Sequence, residues 1–268
     1  MKKSFLKFSV TAIALLLIVS CSTVMITGRK QFLLFSQGEI TSLSEASYKE
    51  ISAKAKPSAN KTYLSMVTKV GKDLTTAVGI YAKKNGMESV LEGINWKFEV
   101  YESEDVNAFC LPSGQIVFYS GIMKYASTPD MIAVVMGHEI AHAIARHGNE
   151  RMSQEAVTGA VGQAVGAVLA TKSEKNQALF QTAFGLGSQL GIILPYSRKH
   201  EYEADRIGLT IMAMAGYNIN AAPLFWEKMS SASKSSKIEF FSTHPSDESR
   251  IAEIKRYLPE AAKFAGVK

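Results

Sequence analysis

Apolar residues recur along this chain with two periods, one typical of strands and one typical of helices. Residues 94–101 alternate apolar and polar side chains, which predicts a half-buried strand. Two shorter runs, 107–111 and 115–119, lie on either side of the turn Pro112-Ser113-Gly114 and are also predicted to be strands. We therefore expect few strands, all of them short.

Helical spacing dominates the rest of the chain. It predicts helices over residues 37–55, 61–84, 129–152, 199–215, 221–231 and 246–258. The third of these has the best-defined start, because Thr128 can cap it, proline suits its first position, and Asp130 lies near its positive end. We expect an α+β fold that is predominantly helical, with a small edge β-sheet over this third helix.

The first twenty residues have the form of a secretory signal. Three lysines precede an apolar stretch, residues 8–19, that is too short to span a bilayer comfortably. The sequence Ile18-Val19-Ser20-Cys21 resembles a bacterial lipobox, so Cys21 is the expected lipidation site. The alternative is a plain signal peptide that contains a cysteine. The predicted organisation is a lipoprotein signal peptide over 1–20, a lipid-anchored tether over 21–36, one domain over 37–260 and a tail over 261–268.

Charge and cysteine content narrow the range of functions. The formal net charge is +6 and falls to +3 without the three lysines of the signal, which gives no case for nucleic-acid binding. If Cys21 is lipidated, Cys110 is the only other cysteine, and an intramolecular disulfide is excluded. The apolar context of Cys110 predicts a buried, inert thiol.

The third predicted helix carries the sequence HEIAH, residues 138–142. Residues i and i+4 lie on one face of a helix, so His138 and His142 project side by side and can both reach one Zn²⁺ at about 2.0–2.1 Å. Glu139 can then contact a water on the metal without being a ligand. The alternative is a structural histidine pair, which the long, capped, apolar helix makes the weaker interpretation.

Two nearby histidines are not expected to bind the ion. On a continuous helix, His147 lies about 180° around the axis from His138, so we expect it at the surface or at a helix end, where the dipole favours it. His200 is offset by about 100° from Glu201, and we expect it either beside the site or exposed.

A third protein ligand is expected from residues 196–208. Glu201 and Asp205 are four residues apart on a predicted helix and share a face, whereas Glu203 points away. Glu201 can supply a ligand, and Asp205 can hold the outer ring N–H of a ligating histidine. The alternative is a solvated acidic helix face that is balanced by neighbouring basic residues.

These motifs carry a family resemblance. HEIAH followed by SRKHEYEAD resembles the HtpX-like zinc endopeptidases, whose signature is HExxH…SRxxExxAD, and TGRKQFLLFS, NAFCLPSGQIVFYSGIM and THPSDESR are similar to that family too. The resemblance implies a zincin-type metalloprotease domain of the gluzincin kind, with one catalytic Zn²⁺ held by His138, His142 and Glu201. It implies Glu139 as the base and Asp205 as a supporting carboxylate or proton donor. It is strongest to the periplasmic lipoprotein branch, and the serine after Cys21 implies retention in the outer membrane.

His244 stands in a His-Pro motif near the end of the chain. The family resemblance makes it a candidate fourth ligand that closes the site and restrains activity. The alternative is a histidine that stabilises the turn before the last helix.

The expected activity is metal-assisted hydrolysis of peptide bonds in unfolded or misassembled envelope proteins, which residues 107–119 would bind as an added strand. One rival function is a zinc-binding lipoprotein that acts as a chaperone or assembly factor for outer-membrane proteins. Glu139 counts against it, because a purely structural zinc needs no such carboxylate. The other rival, a lipid-anchored structural protein without metal, must treat both motifs as accidents. The membrane is an expected partner through Cys21, and nucleic acid is not.

Overall fold

The computed structural model describes residues 21–163, 172–183, 197–233, 238–244 and 248–266. The strands in these ranges are β1 (Cys21–Thr23), β2 (Lys30–Phe32), β3 (Lys97–Tyr101), β4 (Ala108–Cys110) and β5 (Gln115–Tyr119). The helices are α1 (Gln37–Lys54), α2 (Lys61–Lys84), α3 (Pro129–Ile144), α4 (His147–Gln163), α5 (Lys172–Ala183), α6 (Arg198–Ala215), α7 (Ala221–Ser233), α8 (Phe240–Thr243) and α9 (Glu248–Ala262). The predicted α+β, predominantly helical fold is confirmed.

The first two strands form an antiparallel hairpin in the segment for which the sequence predicts a tether. Cys21 pairs with Phe32, and the turn between the strands buries Val24 and Met25 in the main core. The segment predicted as a lipid-anchored tether is therefore folded against the domain, because this apolar turn is buried in the core. The predicted signal peptide lies outside the described residues. Within the described part of the chain, no helix is both long enough and apolar enough to cross a membrane.

Local signals explain the first two helices. Ser36 and Glu39 form a capping box at the start of α1, and Asn60 caps α2 by accepting a hydrogen bond from the Tyr63 backbone N–H. Helix α2 packs its apolar face against β3. At the contact, Gly71 leaves room for the ring of Phe98, which an added Cβ would overlap.

The three-stranded sheet has the order β3-β5-β4. Strand β3 runs parallel to the central strand β5, and β4 runs antiparallel to it. The predicted strand at 94–101 begins only at Lys97, because Asn95 N–H is held by the Ser113 carbonyl in a turn. Strand β4 is an edge strand, and its outer side faces α3.

Helices α3 and α6 cross at close range in the centre of the molecule. The contact is made by Gly137 and Gly208, where a Cβ on either residue would lie 3.0–3.1 Å from the backbone of the other helix. Two glycines therefore let the backbones approach, and the side chains that follow Gly137 meet those that precede Gly208. Trp226 of α7 and Ile254 of α9 close the core around this crossing.

The predicted helix over 129–152 is broken, which corrects that prediction. Helix α3 ends at Ile144, Arg146 adopts a left-handed conformation with φ of 56°, and a second helix begins at His147. A non-glycine residue in this region costs on the order of 1 kcal/mol, so tertiary contacts must hold it there. The Arg146 side chain donates to the Ser89 carbonyl at 3.3 Å.

Candidate metal centre

Helix α3 brings the HExxH side chains into the interior. Thr128 caps the helix by accepting from the Met131 backbone N–H, and Pro129 occupies its first position, as predicted. His138, Glu139 and His142 are all buried. The Nε2 atoms of His138 and His142 are 3.1 Å apart, so both rings point at one place.

Helix α6 brings Glu201 to the same place. Ser197 caps this helix by accepting from the His200 backbone N–H, which fixes Glu201 in the first turn. Glu201 Oε1 lies 3.4 Å from His142 Nε2, and Oε2 lies 3.5 Å from His138 Nε2. The structure thus joins the three predicted ligands, although Glu201 lies 59 positions after His142 in the sequence.

His244 lies against this cluster on the side of Glu139. Its Nδ1 is 3.2 Å from both His138 Nε2 and Glu201 Oε1, and its Nε2 is 3.5 Å from Glu139 Oε1. Phe240 stacks on its ring at 4.4 Å. The imidazole is therefore part of the cluster, whereas a purely turn-stabilising histidine would not reach it.

The separations in this cluster suit a tetrahedral metal ion. One ligand atom from each of His138, His142, Glu201 and His244 lies within 4.8 Å of the other three. Ligands at about 2.0–2.1 Å around a tetrahedral ion are about 3.3–3.4 Å apart, and the closest approaches within the cluster are 3.1–3.5 Å. An ion at the centre fits with small adjustments.

The charges around the cluster also suit a divalent cation. Glu139, Glu201 and Asp205 are three buried carboxylates, and Arg250 is the buried cation that contacts two of them. With all three carboxylates ionised and Arg250 charged, the net charge of these four side chains is −2, which a divalent ion neutralises. Burial and Arg250 oppose a proton on His138, yet Glu201 and Asp205 raise its pKa to about 9. The surroundings favour positive charge at this point.

Asp205 and Arg250 form a support beneath the ligands. Asp205 Oδ1 lies 2.9 Å from His138 Nδ1, and Arg250 donates to both oxygens of Asp205 at 2.7 and 2.9 Å. Arg250 Nη1 also lies 2.9 Å from Glu201 Oε2, and its guanidinium packs over the Trp226 ring. Burial raises the pKa of Asp205, but Arg250 and His138 together outweigh this effect, so the pKa lies below its usual value. An ionised, fully engaged carboxylate favours the supporting role of Asp205 over that of proton donor.

Of the two predicted places for His147, the surface is wrong and a helix end is right, since His147 begins α4 but is buried. Its side chain is fully buried, because the break at Arg146 turns it back towards the ligands. Its Nδ1 lies 3.0 Å from His142 Nδ1, and its Nε2 lies 3.0 Å from Glu203 Oε2. Burial lowers the pKa of His147 to about 4. Glu203 points away from the ligand atoms, as predicted, but holds a histidine that contacts one of them.

His200 is buried two contacts away from the ligands. Its ring stacks on that of His147 at 4.5 Å, and its Nε2 lies 3.1 Å from Glu150 Oε2. Sequence reasoning missed Arg250, His147 and Glu203 as part of the site. Two signals were available in the sequence. The motif THPSDESR contains Arg250, and two further acids, Glu203 and Asp205, follow Glu201 at every second position.

Glu139 lies between the cluster and the edge strand β4. The backbone N–H of Cys110 donates to Glu139 Oε2 at 3.2 Å. Burial raises the pKa of Glu139, an effect that the neighbouring histidines reduce. A carboxylate whose pKa is raised towards neutrality is suited to accept and release a proton. Cys110 itself is partly buried, and burial together with Glu139 raises the pKa of its thiol.

Comparisons with known proteins agree with this chemistry. Residues 70–258 match the sequence model of Peptidase family M48. The mitochondrial metalloendopeptidase OMA1 of Schizosaccharomyces pombe is 34% identical over 175 residues, which is 65% of this chain and 50% of the relative. The human mitochondrial metalloendopeptidase OMA1 is 28% identical over 246 residues, 89% of this chain and 46% of the relative.

A bacterial protein is similar over a shorter range. The beta-barrel assembly-enhancing protease of Escherichia coli K12 is 31% identical over 163 residues, which is 59% of this chain and 33% of that protein. The chain spans half or less of the length of these three relatives. The family match over residues 70–258 includes every residue of the candidate metal cluster.

Proposed function

The chain belongs to peptidase family M48, and from that premise we propose that it is a zinc-dependent endopeptidase for unfolded or misassembled envelope proteins. The observation that carries the proposal is the convergence of His138, His142 and Glu201 around one point, with Glu139 beside it. Zinc suits the two imidazoles and one carboxylate, and this set leaves a coordination position for a reactant.

Each residue of the cluster has a role in this reaction. A zinc ion held by His138, His142 and Glu201 would supply Lewis acidity, which lowers the pKa of water and polarises a carbonyl group. Glu139 takes the proton of the attacking water and passes it to the leaving amine. Asp205 and Arg250 keep His138 and Glu201 aimed at the same point. These side chains are buried, which keeps bulk water from their charges.

Strand β4 provides a place for an extended substrate. The hydrogen bonds from Tyr119 N–H to the Asn107 carbonyl and from Leu111 N–H to the Gln115 carbonyl show that odd-numbered residues of this segment pair with β5. The backbone groups of Ala108 and Cys110 are therefore directed away from the sheet, towards α3. Their N–H groups now donate to Asn107 Oδ1 and Glu139 Oε2, and a peptide added there would replace these acceptors with its own backbone carbonyls, with little regard to its sequence.

The segment that carries His244 competes for this surface. Phe240 N–H donates to the Val106 carbonyl at 3.1 Å, at the start of the edge that β4 presents. His244 meanwhile lies against the ligand atoms. We take this arrangement as a resting state in which His244 fills the fourth position, so that substrate must displace the segment before cleavage.

The place of action that we propose is the periplasmic face of the outer membrane, with Cys21 lipidated. The proposed location rests on the lipobox-like sequence and on the resemblance to periplasmic lipoproteins. The relatives do not decide it, because they include both bacterial and mitochondrial proteins. Radiolabelled palmitate should be incorporated into the wild-type chain and not into Cys21→Ser. Equal labelling of the two would remove the anchor from the proposal.

A second candidate function is a zinc-binding chaperone or assembly factor. The observation that favours it is the position of His244, which places a fourth donor on the cluster. A permanently filled site would bind zinc without cleaving. Glu139 weighs against this function, because a permanently closed site has no use for a buried base.

The test is cleavage of unfolded casein by the full chain in detergent, with the zinc content of each variant measured. We expect Glu139→Gln to keep one zinc and to lose at least about a hundredfold in rate, in the range typical of a lost general base. We expect His244→Ala to cleave faster than wild type. If all three proteins hold zinc and none cleaves, the chaperone function is the better account.

A further inference from the structure

A series of hydrogen-bonded side chains runs from the outer side of His142 to the N-terminal hairpin. His142 Nδ1 meets His147 Nδ1 at 3.0 Å, and His147 Nε2 meets Glu203 Oε2 at 3.0 Å. Glu203 in turn accepts from Thr27 Oγ1 at 2.5 Å and from Arg29 Nε at 2.7 Å. Thr27 and Arg29 belong to the turn between β1 and β2, more than 170 residues away in sequence.

The positions of the hydrogens along this series of side chains follow from the donors and acceptors that are present. An ionised carboxylate only accepts, so His147 must carry its proton on Nε2 to bond Glu203. A neutral imidazole has a single N–H, so His147 Nδ1 is then an acceptor. The Nδ1–H of His142 fills that acceptor, which leaves the lone pair on His142 Nε2. That atom faces Glu201 and His138.

Where this series of side chains reaches the hairpin, Arg29 is held by two carboxylates. The two terminal nitrogens of Arg29 donate to both oxygens of Glu150 at 2.7 and 2.8 Å, while its Nε holds Glu203. Glu150 also meets His200, whose ring stacks on His147. The turn that aims Thr27 and Arg29 is tight, with Gly28 at a φ of 70° and its N–H bonded to the Val24 carbonyl. His147 is thus fixed in plane by Glu203 and from one face by His200.

We propose that His147 is a positioning residue that fixes the tautomer and direction of His142, and that the hairpin residues Thr27 and Arg29 complete the metal centre by holding Glu203. The inference rests on the proposed zinc site and deepens it. It assigns the hairpin a function in metal binding: the segment next to the predicted lipid anchor is a structural part of the active centre. Outer partners of zinc ligands typically contribute 10–100-fold to metal affinity.

The test compares His147→Leu with His147→Gln in the full chain. Leucine removes both ring nitrogens, whereas the glutamine amide has one acceptor for His142 and one donor for Glu203. The zinc dissociation constant is measured by competition with a chelator, and the visible spectrum of the Co²⁺-substituted protein reports ligand geometry. We expect 10–100-fold weaker zinc binding and an altered Co²⁺ spectrum for His147→Leu, and substantial recovery of both in His147→Gln.

Arg29→Met tests the distal end, where the side chain is partly exposed and the fold is less at risk. We expect a smaller loss of zinc affinity, about three- to tenfold, because the effect passes through Glu203 and His147. The matched control is Glu104→Gln, which breaks an exposed ion pair with Lys124 and should leave zinc affinity unchanged. If His147→Leu fails to fold, Arg29→Met decides the question.

The outcomes separate this inference from the proposed function. Wild-type protein that does not bind zinc contradicts the proposed function itself. Wild-type protein that binds zinc tightly, with variants that bind it equally well, contradicts the inference and leaves the proposed function intact. Loss of affinity in both His147 variants, matched by an equal loss of fold stability in the metal-free protein, would show general destabilisation and would also overturn it.

Discussion

Gly208 should be required for metal binding although it supplies no ligand atom. An added Cβ at this position would lie 3.0 Å from Gly137 C and from His138 N, both of them backbone atoms of α3. Ordinary contact begins at 3.4 Å, so Gly208→Ala requires α3 and α6 to move apart by a few tenths of an ångström, about 0.4 Å. The ligands sit on these two helices, His138 directly after Gly137 and Glu201 two turns before Gly208.

That displacement exceeds what a zinc site tolerates. Metal–ligand distances in real sites stay within about 0.2 Å of their usual values, so we expect zinc affinity to fall at least tenfold in Gly208→Ala. Overpacking costs about 1–3 kcal/mol, and alanine returns about 1 kcal/mol of helix propensity. The net loss in free energy of unfolding should be about 0–2 kcal/mol for the metal-free protein, which is small beside the loss in metal binding.

Gly79→Ala is the matched control. Gly79 also lies inside a helix, α2, but an added Cβ there meets nothing within 4 Å. We expect this variant to gain about 1 kcal/mol in unfolding free energy with unchanged zinc affinity. The assays are urea denaturation and chelator competition. If Gly208→Ala is stabilised like the control and binds zinc as wild type does, the close helix crossing does not set the geometry of the site.

Three further predictions concern the groups around the site. Arg250→Met leaves two buried carboxylates without their cation and should lower the unfolding free energy of the metal-free protein by about 3–5 kcal/mol. Bound zinc should restore part of it, and equal urea midpoints for the metal-free variant and wild type would contradict this role. The pKa of Glu150 is lowered to about 2: burial raises it, but His200 and Arg29 outweigh that effect. The ionised Glu150 stabilises the fold fully above its ordinary pKa near 4.5, and this stabilisation is lost as the pH falls through about 2. Between these pH values the unfolding free energy of Glu150→Gln should therefore fall by up to about 3 kcal/mol less than that of wild type. Parallel curves of unfolding free energy against pH would refute this prediction. Cys110 should react slowly with a disulfide reagent at pH 8, because burial and the charge of Glu139 raise its thiol pKa. Labelling should be faster in Glu139→Gln, and a wild-type rate like that of the unfolded chain would contradict this.

Much of the site could be predicted because its main parts are local. An i, i+4 spacing on a capped helix fixes the relation of His138 to His142 whatever the rest of the chain does. The same rule selects Glu201 and Asp205 over Glu203. The predicted helices survive for a similar reason, since caps such as Thr128 and Ser197 act within one turn.

The parts that could not be predicted depend on distant contacts. Residues 142–152 have an unbroken helical pattern, and only the tertiary partners of Arg146 and His147 explain why the helix stops. Arg250 reads as a surface charge until α9 packs against α6. The hairpin has no signal in the sequence, because its two strands are too short to show a period, and its burial follows from the core that receives Val24 and Met25.

The most direct test of the central claim is zinc K-edge X-ray absorption on the full chain loaded with one equivalent of zinc. We predict two imidazole nitrogens and one carboxylate oxygen at about 2.0–2.1 Å, with a third imidazole in wild type that is absent in His244→Ala. His142→Ala should remove one nitrogen from this set and weaken binding. A spectrum that is identical in wild type and His142→Ala would place the ion elsewhere and would contradict the metal centre described for this chain.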